Sequence, residues 1–513
     1  LIRRQRQMCI RDRHKAVKND RNPGGFEGVF DMSRSKRKYL FQNDQNTLNG
    51  ALLAGNNSMA EMLLWSLVLL PPVIGVYGAG VCVINIGLFV GTTFAWLFLV
   101  KRLRSYRDLS RKTIGSMWEF LYDRYRSVIL KDSFLVVWLL ILLSMTAALL
   151  EYGSKVISKT VGMEYHWVAV GIVVILSIYM CILGNKVRSV IRSIFYIILL
   201  LVFFVLVISL FMVNKPSELL DIYGKLHMKG GTSVYLNILY YNGTQTGVTY
   251  IISMVGMGLG CLGLPFLFNG AFEAKDSHEL DRGRVLSILY TGVMIVVISV
   301  WSLLNAVCIY PLKVTLDSGI DELLRTYIAA LCHKLEVPTE IRYVILGVLV
   351  ITLLCLTERI FAMSMEVARG LLPKMKWIRN EKQQNVADIG LLVILSGALL
   401  VIVGIWKPEY QKLITVSWEY ASAMAAPCIL AVVWRAASRP GIFAGLFTGL
   451  AVCSVWYFVP MIEGNTLAVS TELSAGTASF VFALAVTIIV SMFTHKKNEA
   501  EKKLFDQIKL DQR

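Results

Sequence analysis

Charge is what this sequence has least of: Asp, Glu, Lys and Arg make up 17% of its 513 residues, 56% are hydrophobic, and mean hydropathy is +0.59. So little charge excludes a soluble globular chain of this length. Histidine is scarce at six residues, and the nine cysteines are scattered singly with no CxxC pair, so spacing indicates neither a metal site nor a disulfide framework. The thiols lie mostly inside apolar segments and read as small buried hydrophobes. No nucleophile with a base and no phosphate loop occurs at plausible spacing, so an enzyme is not expected and no cofactor is implied. The charge that is present is lopsided, +17 overall, but the basic residues sit in short loops between apolar segments. There they set topology and give no reason to expect a nucleic-acid partner.

What the chain has in abundance is apolar runs of bilayer length. They fall at roughly 48–70, 76–100, 133–152, 165–184, 189–213, 247–270, 284–311, 341–371, 387–406, 412–434, 440–462 and 473–494, which predicts an all-α polytopic membrane protein of about twelve spans. The connection from Lys101 to Lys131 carries nine Lys or Arg, whereas that from Glu463 to Glu472 carries none. By the positive-inside rule the first is cytoplasmic and the second external. Alternate loops agree: Lys186 and Arg188, Arg282 and Arg284, Lys374 to Lys382, Arg435 and Arg439, and the tail from Lys496 fall inside, while the acidic loop from Lys313 to Glu340 falls outside. The C-terminus is therefore expected in the cytoplasm. The stretch "QMCIRDRH" (Gln7 to His14) reads as translated adapter sequence, so residues 1–35 are expected to be an assembly artefact or a disordered cytoplasmic tail.

Two spans are poor continuous helices. The first contains "GALLAGNNSMAEMLL", with Gly50, Gly55, Asn56, Asn57 and Ser58; the sixth contains "GMGLGCLGLPF", with four glycines and Pro265. Such interruptions are tolerated in lipid only where they line a protein cavity, although close packing through small residues would also explain them. Their positions, in spans one and six, divide residues 36–435 into two five-helix halves of opposite orientation, the pattern of an inverted-repeat transporter with a midplane site. Residues 436–513 then add two helices and a short cytoplasmic tail.

Four stretches carry a family resemblance from about Tyr39 to the end: "GLGCLGLPF" with "AKDSHE", "EFLYDRY" at Glu119 to Tyr125, "VGMEY" at Val161 to Tyr165, and "WRAASRPGIFAGLFTG" at Trp434 to Gly449. Together they resemble the sodium/solute symporter family, and within it most nearly the sodium/proline symporters. The resemblance implies alternating-access transport across the plasma membrane, one sodium ion entering with a small organic solute such as an amino acid or carboxylate. It also implies a further helix before Gly50, since family members usually carry thirteen.

Carried over position by position, the family's sodium ligands become the carbonyls of Asn56 and Met59 and a hydroxyl pair that falls on Cys355 and Leu356, or on Leu356 and Thr357. At most one hydroxyl remains, in a site where a hard cation wants oxygen. Ser58 stands where the family commonly places an aspartate. The positions at which proline carriers line their substrate with aromatics are Met145, Met257 and Cys261 here; Pro265 matches, and Asn57 joins this candidate solute set. Sodium coupling is what the family implies, and sodium-independent or proton-coupled exchange is what the residues allow. A transporter-fold sensor that binds solute without moving it is the reading from another class. The expected partners are a small solute and the bilayer, with no obligate protein partner.

Within the eighth span, "LLCLTERIFAM" sets Glu358 beside Arg359, sixteen residues from Arg342 and eleven from Arg369. Adjacent helical residues point about 100° apart and cannot fully satisfy each other, so each needs another partner. Arg359 falls on the face of the expected sodium ligands, and Glu61, just past the first interruption, is the expected counter-anion, in an ion pair that is either functional or purely structural.

Overall fold

Runs of Leu, Ile, Val and Phe this long can lie in lipid only if their backbone is satisfied internally, which in a single chain without a closed barrel means helix. The computed structural model describes residues 47–110, 114–213, 217, 232–241, 244–309, 333, 336, 338–372, 381–406, 409–462, 465–495 and 505–508. The proposed artefact, most of the acidic loop from Lys313 and most of the C-terminal tail lie outside these residues.

Ten helices among the described residues are long and apolar enough to cross a membrane, and a pair bent by 41° would add an eleventh. Among the described residues the first helix is α1, a helical run over 50–77, followed by α2 (Ala79–Ser110), the short α3 (Met117–Tyr125), α4 (Val128–Val161), α5 (Tyr165–Ile182) and α6 (Asn185–Val213). The bent pair follows as α7 (Val248–Gly258, extended by the 3-10 turn Leu259–Gly263) and α8 (Pro265–Glu273); then come α9 (Ser277–Ile309), α10 (Thr339–Leu371), α11 (Glu381–Val401), α12 (Tyr410–Val433), α13 (Arg439–Phe458) and α14 (Ala475–Thr494). Counting α1, these correspond one to one with the expected twelve spans.

The two interruptions take different forms. In α1 the α pattern gives way to π-helix at Gly55–Met59 and again at Leu64–Leu69 without a bend in chain direction large enough to end the helix. Between α7 and α8 the chain tightens into the 3-10 turn and kinks at Leu264, whose extended φ/ψ of −87°/146° is what the following Pro265 demands. Glycine permits the close crossings there: a Cβ on Gly263 would lie 1.7 Å from the Ala421 carbonyl oxygen of α12. Gly78, between α1 and α2, has φ +86°, a left-handed turn that other residues rarely adopt.

The core forms where α4 packs on α10, where α12 covers the 3-10 turn, and where α13 and α14 pack together beside α12. The outward faces of α5, α6 and α11 carry Ile175, Val205, Ile208, Val393 and Ile394, exposed apolar side chains with nowhere to go but lipid.

Candidate functional site

Around the 3-10 turn the regular helical hydrogen bonding is interrupted at membrane depth, and tryptophans donate to backbone carbonyls just before it and at its end. Trp418 Nε1 donates to the Met257 carbonyl at 2.6 Å and Trp138 Nε1 to the Gly263 carbonyl at 2.7 Å. Both indoles are fully buried. At the C-terminal end of α8, two arginines of α2 bind its last carbonyls: Arg104 donates to those of Ala271 and Ala274, and Arg107 to that of Phe272. The chain leading into α1 is tied to the same place, with Thr47 and Leu48 N–H groups on the Glu273 carbonyl and Lys275 N–H on the Leu48 carbonyl.

Facing the π turn of α1 is a buried charge network. Arg359 of α10 donates through Nε to the Asn56 carbonyl at 2.7 Å, and through Nη2 to Asn57 Oδ1 at 3.3 Å and Glu273 Oε1 at 3.5 Å. Asn57 Nδ2 in turn donates to Glu273 Oε2 at 3.1 Å and to the Leu53 carbonyl. The neighbouring Glu358 points the other way and takes two arginines of α6, Arg188 and Arg192, one on each carboxylate oxygen. Arg192 also reaches Asn56 Oδ1, which accepts from Ser189 Oγ at 2.8 Å as well. One asparagine therefore joins both arms, its side chain to α6 and its main chain to α10. Arg192, Arg359, Glu358 and Glu273 are all at most 1% exposed. Charges so buried are tolerable only because each is hydrogen-bonded to an opposite one.

This arrangement corrects two sequence expectations. Glu61 is not the partner of Arg359: both its oxygens are buried and without a hydrogen bond among the described residues, and the carboxylate beside Arg359 is Glu273. Asn57 does not offer a free amide to a solute, because the network engages it at both ends. The expected sodium ligands do not assemble around an ion-sized oxygen cage. The Asn56 carbonyl is taken by Arg359, the Thr357 hydroxyl is bound to its own helix at the Leu353 carbonyl (2.8 Å), and Cys355 and Leu356 contribute no oxygen. Met59 is buried in the π turn, and Ser58 Oγ accepts from Trp96 Nε1. The residues at this position fit a guanidinium and do not fit sodium.

The candidate solute positions lie apart from the network. Met145 and Cys261 are fully buried, Met257 is 7% exposed, and Pro265 opens α8. Cys261 packs against α2, where a Cβ added at Gly91 would lie 2.6 Å from its Sγ. Trp65 of α1 stands edge-on to Trp418, ring centroids 5.0 Å apart. A small apolar recess of about 20 Å³ lies further along α1, lined by Leu67, Tyr152, Val156, Leu346, Leu349, Val350 and Leu353.

The sequence pattern places Arg188 in a cytoplasmic loop and does not single out Glu273 or Arg192, although Arg192 lies four residues after Arg188 inside the expected span 189–213. That i, i+4 spacing in "RSVIR", with apolar residues between, is the mark of a helical face rather than a loop.

The family profile described as "Sodium:solute symporter family" matches residues 47–449. The chain belongs to the sodium:solute symporter family. Among curated relatives, sodium/proline symporters of Staphylococcus aureus, strains bovine RF122 / ET3-1 and Newman, are each 23% identical, covering 87% of this chain and 85% of their own length. Among solved structures, a Na+-coupled sialic acid symporter in a substrate-bound outward-open state superposes with a TM-score of 0.69 at 11% identity, over 90% of this chain and 94% of that one. Members of this family are transporters, not enzymes, and the inverted-repeat fold expected from the two interruptions is the one found. This symporter-family chain is accordingly a multi-pass membrane protein that handles a small-molecule solute.

Proposed function

We propose that this chain is a secondary transporter of a small organic solute in which the guanidinium of Arg359 takes the place of the family's sodium ion, so that uptake does not depend on sodium. The observation that carries this reading is the 2.7 Å hydrogen bond from Arg359 Nε to the Asn56 carbonyl, on the backbone oxygen the family resemblance assigns to the ion. Arginine stays protonated and is fixed to its helix, so it supplies the positive charge that joins α10 to α1 without having to enter or leave. Residues 36–435 form the transport unit and residues 436–513 the two added helices and tail. The C-terminus lies in the cytoplasm of a cell whose plasma membrane holds the protein, on the strength of the basic loops.

Family membership favours a second reading, sodium-coupled symport of the same solute with the ion bound elsewhere. Uptake into proteoliposomes under an imposed sodium gradient, against the same vesicles with potassium in place of sodium, separates the two. Equal uptake in both supports the proposal; uptake confined to the sodium gradient overturns it in favour of the second.

A further inference from the structure

Glu61 is a buried intramembrane acid that the network around Arg359 and Glu358 does not use. It lies on α1 just beyond the first π turn, is 3% exposed, and has no hydrogen-bond partner on either oxygen among the described residues. The arginines of the buried network have other carboxylates as partners: Arg359 binds Asn56, Asn57 and Glu273 through Nε and Nη2, with Nη1 unbonded among the described residues, and Arg192 and Arg188 bind Glu358. An unpaired carboxylate buried this way is costly, by several kcal/mol even after relaxation, and it persists only where something else answers it.

One turn further along the same helix is a second orphan. Trp65, i+4 from Glu61, is 4% exposed and its indole N–H has no acceptor, unlike those of Trp96, Trp138 and Trp418, all of which are bonded. Residues so spaced share a helix face. Together they present a carboxylate and an N–H donor on a face of α1 that reaches the ring of Trp418, whose own N–H binds the carbonyl of the candidate solute residue Met257. Neither can satisfy the other's surplus: the acid has more acceptor sites than Trp65 could fill, and Trp65 is not bonded to it. A ligand with a cationic nitrogen toward Glu61 and an acceptor toward Trp65 would complete both, with an aromatic ring alongside to accommodate the charge.

We infer that Glu61 and Trp65 form the recognition pair for the solute, and that the solute carries an ammonium-type cationic nitrogen. This rests on the transport reading above and names the substrate class for it. A solute of this kind brings its own positive charge to the carboxylate. A proton alone neutralises Glu61 but brings no acceptor of its own to the Trp65 N–H.

The test is thermal unfolding of the purified full-length protein in detergent with matched probes: propylammonium and L-alanine, which carry the ammonium group, against propanol and lactate, which replace it with hydroxyl. The ammonium probes are expected to raise the melting temperature and their isosteres not to. In Glu61→Gln the response should weaken at least tenfold in half-saturating concentration, in Glu61→Asp it should be largely retained, and in Trp65→Phe it should weaken several-fold. Without ligand, Glu61→Gln should melt no lower than the parent, since it removes an unpaired acid; a large drop would mean that Glu61 holds the fold together and would overturn the inference. So would an absence of response to either ammonium probe, an equal response to the isosteres, or an unchanged response in Glu61→Gln. Uptake of labelled L-alanine into proteoliposomes is scored separately: binding lost in Glu61→Gln but no uptake by the parent leaves this inference standing and overturns transport, whereas proton-driven uptake of a neutral solute that needs Glu61 does the reverse.

Discussion

Arg359 Nε and the carbonyl oxygen of Asn56 meet at 2.7 Å across 303 positions of sequence. The π turn makes the meeting possible. Widening Gly55–Met59 from α to π shifts the backbone hydrogen bonds by one residue and leaves a carbonyl able to accept from outside the helix.

The first prediction concerns that bond. Arg359→Gln strands Glu273 without its charge partner and leaves the Asn56 carbonyl with a weaker donor, a loss of about 3–5 kcal/mol for a broken buried pair. Solute uptake by proteoliposomes should fall at least tenfold and should not be restored by sodium. Arg359→Lys keeps the charge but not the fork that serves Asn56, Asn57 and Glu273 together, and should sit between the two. Uptake by Arg359→Gln at the parental rate would show that the guanidinium has no part in transport.

Glu358 offers a second test. Its removal as Glu358→Gln leaves Arg188 and Arg192 facing one another with no anion between them, so destabilisation should exceed that of removing Arg188 alone, on the order of 3–5 kcal/mol. In the pair Glu358→Gln with Arg192→Gln the cost should be clearly less than the sum of the single changes. Melting temperatures in detergent give the comparison, and strict additivity would mean that the three residues do not act as a unit.

Close crossings at glycine make a third. Gly263→Ala places a methyl against the Ala421 carbonyl with no flexible group to yield, and should abolish correctly folded expression. Gly347→Ala, in α10 where a Cβ would meet nothing within 4 Å, should instead be neutral or stabilising by about 0.5–1 kcal/mol. Monodispersity on size exclusion distinguishes them.

Finally, Trp418→Phe keeps a ring against Trp65 but withdraws the N–H from the Met257 carbonyl, and should cost about 1–3 kcal/mol for an unsatisfied buried acceptor together with the smaller ring. Trp138→Phe should behave alike at Gly263. A melting temperature unchanged in both would mean that the kink satisfies its carbonyls in some other way.

The helices were legible because lipid enforces them: each apolar run of sufficient length became a span, and the glycines and Pro265 marked the kink at Leu264. The location of Arg359 was legible too, from its spacing to Cys355 and Leu356. Its partners were not. Periodicity places residues on a face of their own helix and says nothing of which distant face comes opposite, so Glu61, near in sequence to the π turn, looked a better anion than Glu273, the last residue of α8, 216 positions from Asn57. The tryptophans were invisible for a related reason. An indole in an apolar span reads as bulk, and only the kink, once seen, shows what its N–H is for.

The backbone bonds that join the approach to α1 with the end of α8 have a mechanical consequence. Thr47, Leu48, Glu273 and Lys275 stitch the two half-helices at one end, and Arg104 and Arg107 pin α2 to the same point. A gate at that end can swing only if these three segments travel as one leaf, or if the stitching is unpicked first. The kink at Leu264 lies at the opposite end of α8 from this stitching, so a hinge there would carry the stitched leaf as one piece.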